Sequence, residues 1–98
     1  MTIEKKLDGT ALTIALGGRL DTVTAPDLER TIKDELPNIT QLTLDLSELE
    51  YISSAGLRVL LSATKTMSKK DGMKVTHVNE IVMEVFDVTG FSDILTIE

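Results

Sequence analysis

Two adjacent serines, Ser53 and Ser54, the single histidine His77, and the aspartates Asp21 and Asp45 are the residues whose types could carry chemistry. A hydrolase built on either serine needs a histidine within hydrogen-bond reach and an acid behind it. Nothing in the spacing brings His77 to either serine; it falls in a stretch expected to be a strand, where a structural or partly exposed role is expected. The nucleophile-elbow pattern is also missing, because neither serine has a glycine two residues before it in Tyr51-Ile52-Ser53-Ser54-Ala55-Gly56. Gly17-Gly18 lacks the further glycines and the lysine of a phosphate-cradling loop, so a bulge or tight turn is expected there. The chain has no cysteine, which removes thiol nucleophiles, disulfides and Cys-based metal sites. Asp21 and Asp45 fall near expected strand ends, on the side where α/β sheets place their sites. A cation pair is one reading; the better one puts Asp45 at a loop entry and uses Asp21 to orient backbone.

Ser54 is the more informative residue. Leu42, Leu44 and Leu46 alternate with Thr43, Asp45 and Ser47, the period of a half-buried strand. Leu57, Leu60, Leu61 and Thr64 then recur at helical spacing, in a helix expected from about Ala55 to Lys70. Ser54 lies just before that helix and is placed to cap it. The free N–H groups of a first helical turn and the helix dipole together favour an anion, so a phosphate on Ser54 would meet a favourable backbone. Gly56 is dispensable for helix geometry, since glycine costs about 0.5–1 kcal/mol in a helix interior relative to alanine. Close approach by a partner is its expected use. Arg58, Ser62, Lys65 and Lys69 share one polar face, either solvated surface or a docking face beside Ser54.

The flanking elements follow from the same patterns. Thr2 to Leu7 and Thr10 to Leu16 read as two strands joined by an Asp8-Gly9 hairpin turn, with Gly17-Gly18 ending the second. A helix begins at Thr24-Ala25-Pro26-Asp27, with Thr24 as cap, Pro26 in the first turn and Asp27 completing an approximate capping box. Leu28, Ile32 and Leu36 form its apolar stripe, and Pro37 stops it. Ile39 to Leu46 is the third strand. After the second helix, closed by Asp71-Gly72, come a fourth strand from Met73 to Val78 and a third helix capped by Asn79. Ile81, Val82, Val85 and Phe86 are expected on that helix's inner side, Gly90 ends it, and Ile94 to Ile97 forms a last strand. The expected fold is α/β: a mixed, mostly parallel sheet with packed helices in the order β-β-α-β-α-β-α-β, as one domain over residues 1–98.

Composition narrows the function classes. At 98 residues, folding buries roughly 60–65% of the unfolded chain's surface, enough for one modest core. Phe86, Phe91 and Tyr51 are the only aromatic residues, so that core must be aliphatic. A formal charge of −6 argues against a non-specific nucleic-acid binder, which needs a basic face. With no signal-peptide pattern and no apolar run long enough to span a bilayer, a cytoplasmic protein without direct membrane contact is expected.

Three short segments resemble one known family. Asp45-Leu46-Ser47 followed by Ile52-Ser53-Ser54-Ala55-Gly56-Leu57 is similar to the signature of the STAS-domain anti-sigma factor antagonists. Gly18-Arg19-Leu20-Asp21-Thr22-Val23-Thr24-Ala25-Pro26 and Phe86-Asp87-Val88-Thr89-Gly90-Phe91 resemble two further segments of that family, in the right order along the chain. The family's loop usually reads Asp-Ser-Ser/Thr-Gly-Leu, and its first serine is phosphorylated by a partner kinase. The resemblance therefore implies Ser54 as phosphoacceptor. Ser53 stands in the acidic position, Ala55 in the second hydroxyl position, and Asp21 flanks the site or polarises the acceptor. It also implies a partner-binding surface of Thr22, Thr24, Gly56, Leu57, Arg58 and Ser62. The partner would be an anti-sigma factor with serine kinase activity, and the chain would be a monomeric, non-enzymatic switch needing no cofactor or metal. The alternative is a constitutive STAS subunit of a membrane transport or scaffold complex.

Overall fold

The computed structural model describes all 98 residues. Strand β1 (Thr2–Asp8) pairs antiparallel with β2 (Ala11–Leu20), and β2, β3 (Gln41–Ile52) and β4 (Met73–Thr76) run parallel, giving the sheet order β1-β2-β3-β4. Helices α1 (Ala25–Glu35), α2 (Ser54–Met67) and α3 (Glu80–Thr89) follow β2, β3 and β4 respectively. The expected order β-β-α-β-α-β-α-β is found, with its last member reduced to a single parallel bridge of Ile97 against Val75. A 3-10 turn at Phe91–Asp93 consumes the residues that would lengthen it, since the N–H groups of Ile94 and Leu95 both donate to the Phe91 carbonyl.

Leucine alternation builds the core. Leu12, Ile14 and Leu16 of β2 and Leu42, Leu44 and Leu46 of β3 are buried on one face, while Thr13, Ala15, Thr43 and Asp45 on the other are only half-buried. Leu28 and Ile32 of α1, Leu57, Leu60 and Met67 of α2, and Val82 and Phe86 of α3 join the first face in one cluster of 23 buried residues, none polar or charged. The sheet is thus sealed on one side and open on the other.

The Gly17-Gly18 pair does not end β2. The strand continues to Leu20, and the pairing with β3 slips beside both glycines, Gly18 taking a φ of +83°. Five steps from Ala15 to Leu20 are matched by seven from Asp45 to Ile52, so β3 carries two extra residues. This is why Leu46, Leu49 and Ile52, three apart instead of two, all reach the core. It is also why β3 runs well beyond Leu46, leaving Ser53 alone as the connection to α2.

Local chemistry sets the remaining ends. The hairpin turn is Gly9-Thr10 in place of Asp8-Gly9: Asp8 pairs with Ala11, and only Gly9 needs positive φ, at +63°. Pro37 sits inside a 3-10 turn (Leu36–Asn38) that ends α1, and Lys70 donates to the carbonyls of Leu36 and Ile39 beside it. Asn79 caps α3 by accepting from the Val82 N–H at 2.9 Å, and Gly90 closes it in the left-handed region. Ile81, expected inside, is 65% exposed because the buried stripe of α3 is centred on Val82 and Phe86.

Candidate functional site

The C-terminal ends of β2 and β3 lie side by side, Leu20 opposite Ile52, and each releases a tight connection into a helix. The Ser53 N–H donates to the Leu20 carbonyl at 2.9 Å, tying the second connection to the first. Ser53 is extended (φ −100°, ψ 177°) and is the N-cap residue of α2, so Ser54 is its first helical residue and not the cap expected from the sequence. The Ser53 hydroxyl makes no capping bond and is buried without any partner. Ser54 is exposed. The first backbone bond at this end runs from the Leu57 N–H to the Ser53 carbonyl, leaving the N–H groups of Ser54, Ala55 and Gly56 without protein acceptors. No acidic residue occupies the first turn. An exposed hydroxyl therefore stands at the positive end of a helix whose anion-binding groups are unused.

Asp21 organises the neighbouring connection. Its Oδ1 accepts from the N–H groups of Val23 at 3.0 Å and Thr24 at 3.1 Å and from the Thr24 hydroxyl at 3.3 Å. The Thr24 hydroxyl accepts from the Asp21 N–H and also sits 2.9 Å from the Arg19 carbonyl, a donation it shares with Asp21. It is therefore spent on the turn and does not cap α1, and Asp27 pairs with Arg30 at 3.6 Å instead of completing a capping box. The Thr24 N–H is the largest of the effects that hold the Asp21 carboxyl below its ordinary range; the Val23 N–H and Arg19 add to it against some desolvation. Arg19 lies 3.8 Å from Asp21 and stacks over the Tyr51 ring at 4.2 Å. The expected role of Asp21 in orienting backbone is what the geometry shows.

His77 lies just outside β4, in the left-handed region at φ 57°, and is exposed. Its Nδ1 is 3.3 Å from Asp45 and 3.1 Å from the Thr76 hydroxyl. Asp45 also accepts from the Ser47 N–H at 3.0 Å, the main cause of its lowered pKa. Each aspartate is thus spent on its own stretch of backbone, and His77 is paired with Asp45, not with a serine.

The surface residues expected from the sequence divide in two. Thr22, Arg58 and Ser62 are exposed and Ala55 and Thr24 are half-buried; Ala55 follows Ser54, Arg58 and Ser62 lie one and two turns further along α2, and Thr22 and Thr24 lie on the β2–α1 connection. Gly56 and Leu57 do not face outward. Leu57 is 6% exposed, and a Cβ on Gly56 would lie 2.7 Å from Leu20 Cγ and 2.9 Å from Ile52 Cγ1. Gly56 is a packing glycine that lets α2 press on the ends of β2 and β3, which corrects its expected role as a partner's landing point. Sequence reasoning passed over Val23, which is 82% exposed on the Asp21 turn. Its signal was an aliphatic residue inside Asp21-Thr22-Val23-Thr24, where the turn has no use for one.

Known proteins share this fold. The family model described as Mlab, STAS domain matches residues 3–96. The anti-sigma-B factor antagonist of Bacillus subtilis is 26% identical over 98 residues, covering 99% of this chain and 90% of the relative. BtrV of Bordetella bronchiseptica is 34% identical over 94 residues, covering 94% of this chain and 80% of the relative. The crystal structure of an anti-sigma factor antagonist from Mycobacterium paratuberculosis superposes with a TM-score of 0.88 at 25% identity, over 98% of this chain and 83% of that one. The antagonist SpoIIAA superposes in its unphosphorylated form with a TM-score of 0.85 at 16% identity, over 99% of this chain and 88% of that one. In the phosphorylated form of the Bacillus protein the values are 0.77 and 15%, over 99% and 91%. Matched along nearly its whole length by a family model, by relatives and by solved folds, the chain belongs to the STAS-domain family of anti-sigma factor antagonists.

Proposed function

We propose that this protein is an anti-sigma factor antagonist that works as a phosphorylation switch. Unphosphorylated, it binds an anti-sigma factor that is also a serine kinase, and so frees a sigma factor; phosphorylated on Ser54, it lets go. The observation that carries this reading is the exposed Ser54 hydroxyl at the start of α2, backed by three unused backbone N–H groups. The partner supplies ATP, Mg²⁺ and the general base. This chain presents a hydroxyl and performs no turnover of its own. It acts as a monomeric single domain in the cytoplasm, bound neither to membrane nor to nucleic acid.

Phosphorylation adds about −1.5 to −2 charges at one point. At a helix N-terminus these are favourable by about 0.3–1 kcal/mol, so the fold stays as it is. Release then comes from the interface, where a loss of about 3 kcal/mol lowers affinity roughly 100-fold. Thr22 on the neighbouring connection, and Arg58 and Ser62 one and two turns along α2, are exposed side chains that a partner covering Ser54 would reach. Ser53, standing where relatives carry an acid, supplies only a neutral hydroxyl, so transfer is slower than in those relatives.

The test is incubation with kinase-type anti-sigma factors and ATP, followed by phosphosite mapping and binding measurements. A single phosphate on Ser54, weaker kinase binding by Ser54→Asp, and binding without release by Ser54→Ala are expected. A phosphate on Ser53, or Ser54→Asp binding as tightly as wild type, would overturn the assignment. One observation favours a second reading, a constitutive subunit of a membrane transport or scaffold complex: no carboxylate neighbours Ser54 at position 53. No phosphorylation by any cognate kinase is the result that would select it.

A further inference from the structure

The outer face of α3 has features that the switch does not use. Ile81 and Val88 are 65% and 77% exposed, and half-buried Val85 lies between them, so the three form an aliphatic stripe at i, i+4 and i+7. Exposed Glu80, Glu84 and Asp87 border the stripe. From Val75 to Glu98 there is no lysine or arginine, against five acidic residues. None of Glu80, Glu84 and Asp87 takes part in an ion pair within the chain. Glu80 and Glu84 are four apart on one helix and repel. Asp87 stands near the helix's negative end, where no basic residue offsets it. Exposed aliphatics, like-charge repulsion and an acid at the wrong pole are each unfavourable in the free chain. A single kind of occupant relieves all three.

We propose that the outer face of α3 docks a basic amphipathic helix of a partner protein, its aliphatic side chains over Ile81, Val85 and Val88 and its lysines or arginines against Glu80, Glu84 and Asp87. Recognition is helix against helix, read through anchors one turn apart. A second copy of this chain fits less well. The basic face of α2, Arg58, Ser62 and Lys65, with Lys69 just past the helix end, has no aliphatic residue among those positions, and Leu7 beside Lys6 is a lone aliphatic on a sheet edge. An anionic lipid surface is repelled by the same carboxylates. The surface uses no residue of the Ser54 site, so this docking is independent of phosphorylation.

The test is an amide NMR titration of the full chain with a synthetic leucine–lysine amphipathic helix, and with a scrambled peptide of equal composition. Saturable shifts confined to residues 80–89 are expected for the amphipathic peptide, with affinity about tenfold or more above the scrambled one. Binding should weaken at about 1 M salt, where the screening length is about 3 Å. Ile81→Ser with Val88→Ser should lower affinity about tenfold or more while leaving circular dichroism and melting unchanged, since both side chains are exposed. Glu84→Lys should weaken binding without touching the apolar stripe. Unsaturable or scattered shifts, equal binding of both peptides, or unchanged affinity in these variants overturns the proposal. Sedimentation showing a dimer that Val88→Lys dissociates also overturns it, assigning the face to a second copy.

Discussion

Replacing Gly56 separates a packing role from a binding role. A Cβ at this position would sit 2.7 Å from Leu20 Cγ, 2.9 Å from Ile52 Cγ1 and 3.0 Å from Leu20 Cδ2. Leu20 is fully buried and Ile52 is 3% exposed, so neither can swing into solvent. Overpacking of this kind costs about 1–3 kcal/mol. Alanine recovers up to about 1 kcal/mol through helix propensity, so Gly56→Ala should destabilise by about 0–2 kcal/mol. Valine adds two methyl groups and a β-branch in the same gap, and Gly56→Val should lose about 3 kcal/mol or more. A domain of this size has about 5–15 kcal/mol in all, and 1 kcal/mol moves its melting point by about 4–8 °C. Urea unfolding and thermal melts followed by circular dichroism read both variants directly. A Gly56→Val protein as stable as wild type, with only partner binding impaired, would refute the packing argument and return Gly56 to the interface.

Three further outcomes are expected. Asn79→Ala removes the cap on Val82 and the 2.6 Å donation to the Leu49 carbonyl, and should cost about 2 kcal/mol in urea unfolding, of which the cap is about 1. Asp21 and Asp45 both have pKa values lowered from 3.8, so the folded state takes up protons less readily than the unfolded chain. Their contribution to stability is complete well above pH 3.8 and is lost as pH falls through the folded-state values. Melting points should accordingly drop in acid, and Asp21→Asn with Asp45→Asn should flatten that slope. Ser53→Ala should leave stability unchanged or raise it by up to about 1–3 kcal/mol, unlike the loss of about 1 kcal/mol usual at an N-cap, because this hydroxyl makes no capping bond and is buried unpaired.

Where one residue's chemistry decides the local structure, the sequence was enough. The leucine alternation of β3, the Asn79 cap, the Gly90 stop and the self-contained Asp21 turn are all of this kind. The failures share another cause, contact with a distant segment. The length of β3 and the burial of Leu49 and Ile52 depend on how β3 slips against β2, which its own period of two does not announce. Gly56 was misplaced because the residues above it, Leu20 and Ile52, come from two strands. The sequence pattern makes Ser54 the cap where the structure has Ser53, because the capping residue is set by where β3 ends and the two serines have the same side chain. The exposed hydroxyl beside a helix start was legible nonetheless, since either register puts it at the helix's positive end.

The two extra residues of β3 give the sheet an uneven capacity for change. From Ala11 to Ala15 the ladder with β3 is regular, each pairing fixes which side chains reach the core, and a one-residue insertion there would turn a strand inside out. Beyond Ala15 the ladder already tolerates extra residues without losing the core, since Leu49 and Ile52 remain buried. Inheritance can therefore lengthen, shorten or rewrite the end that carries Ser53 and Ser54 while the other end holds the fold. New partners can be acquired at one edge of the molecule without the fold being reinvented.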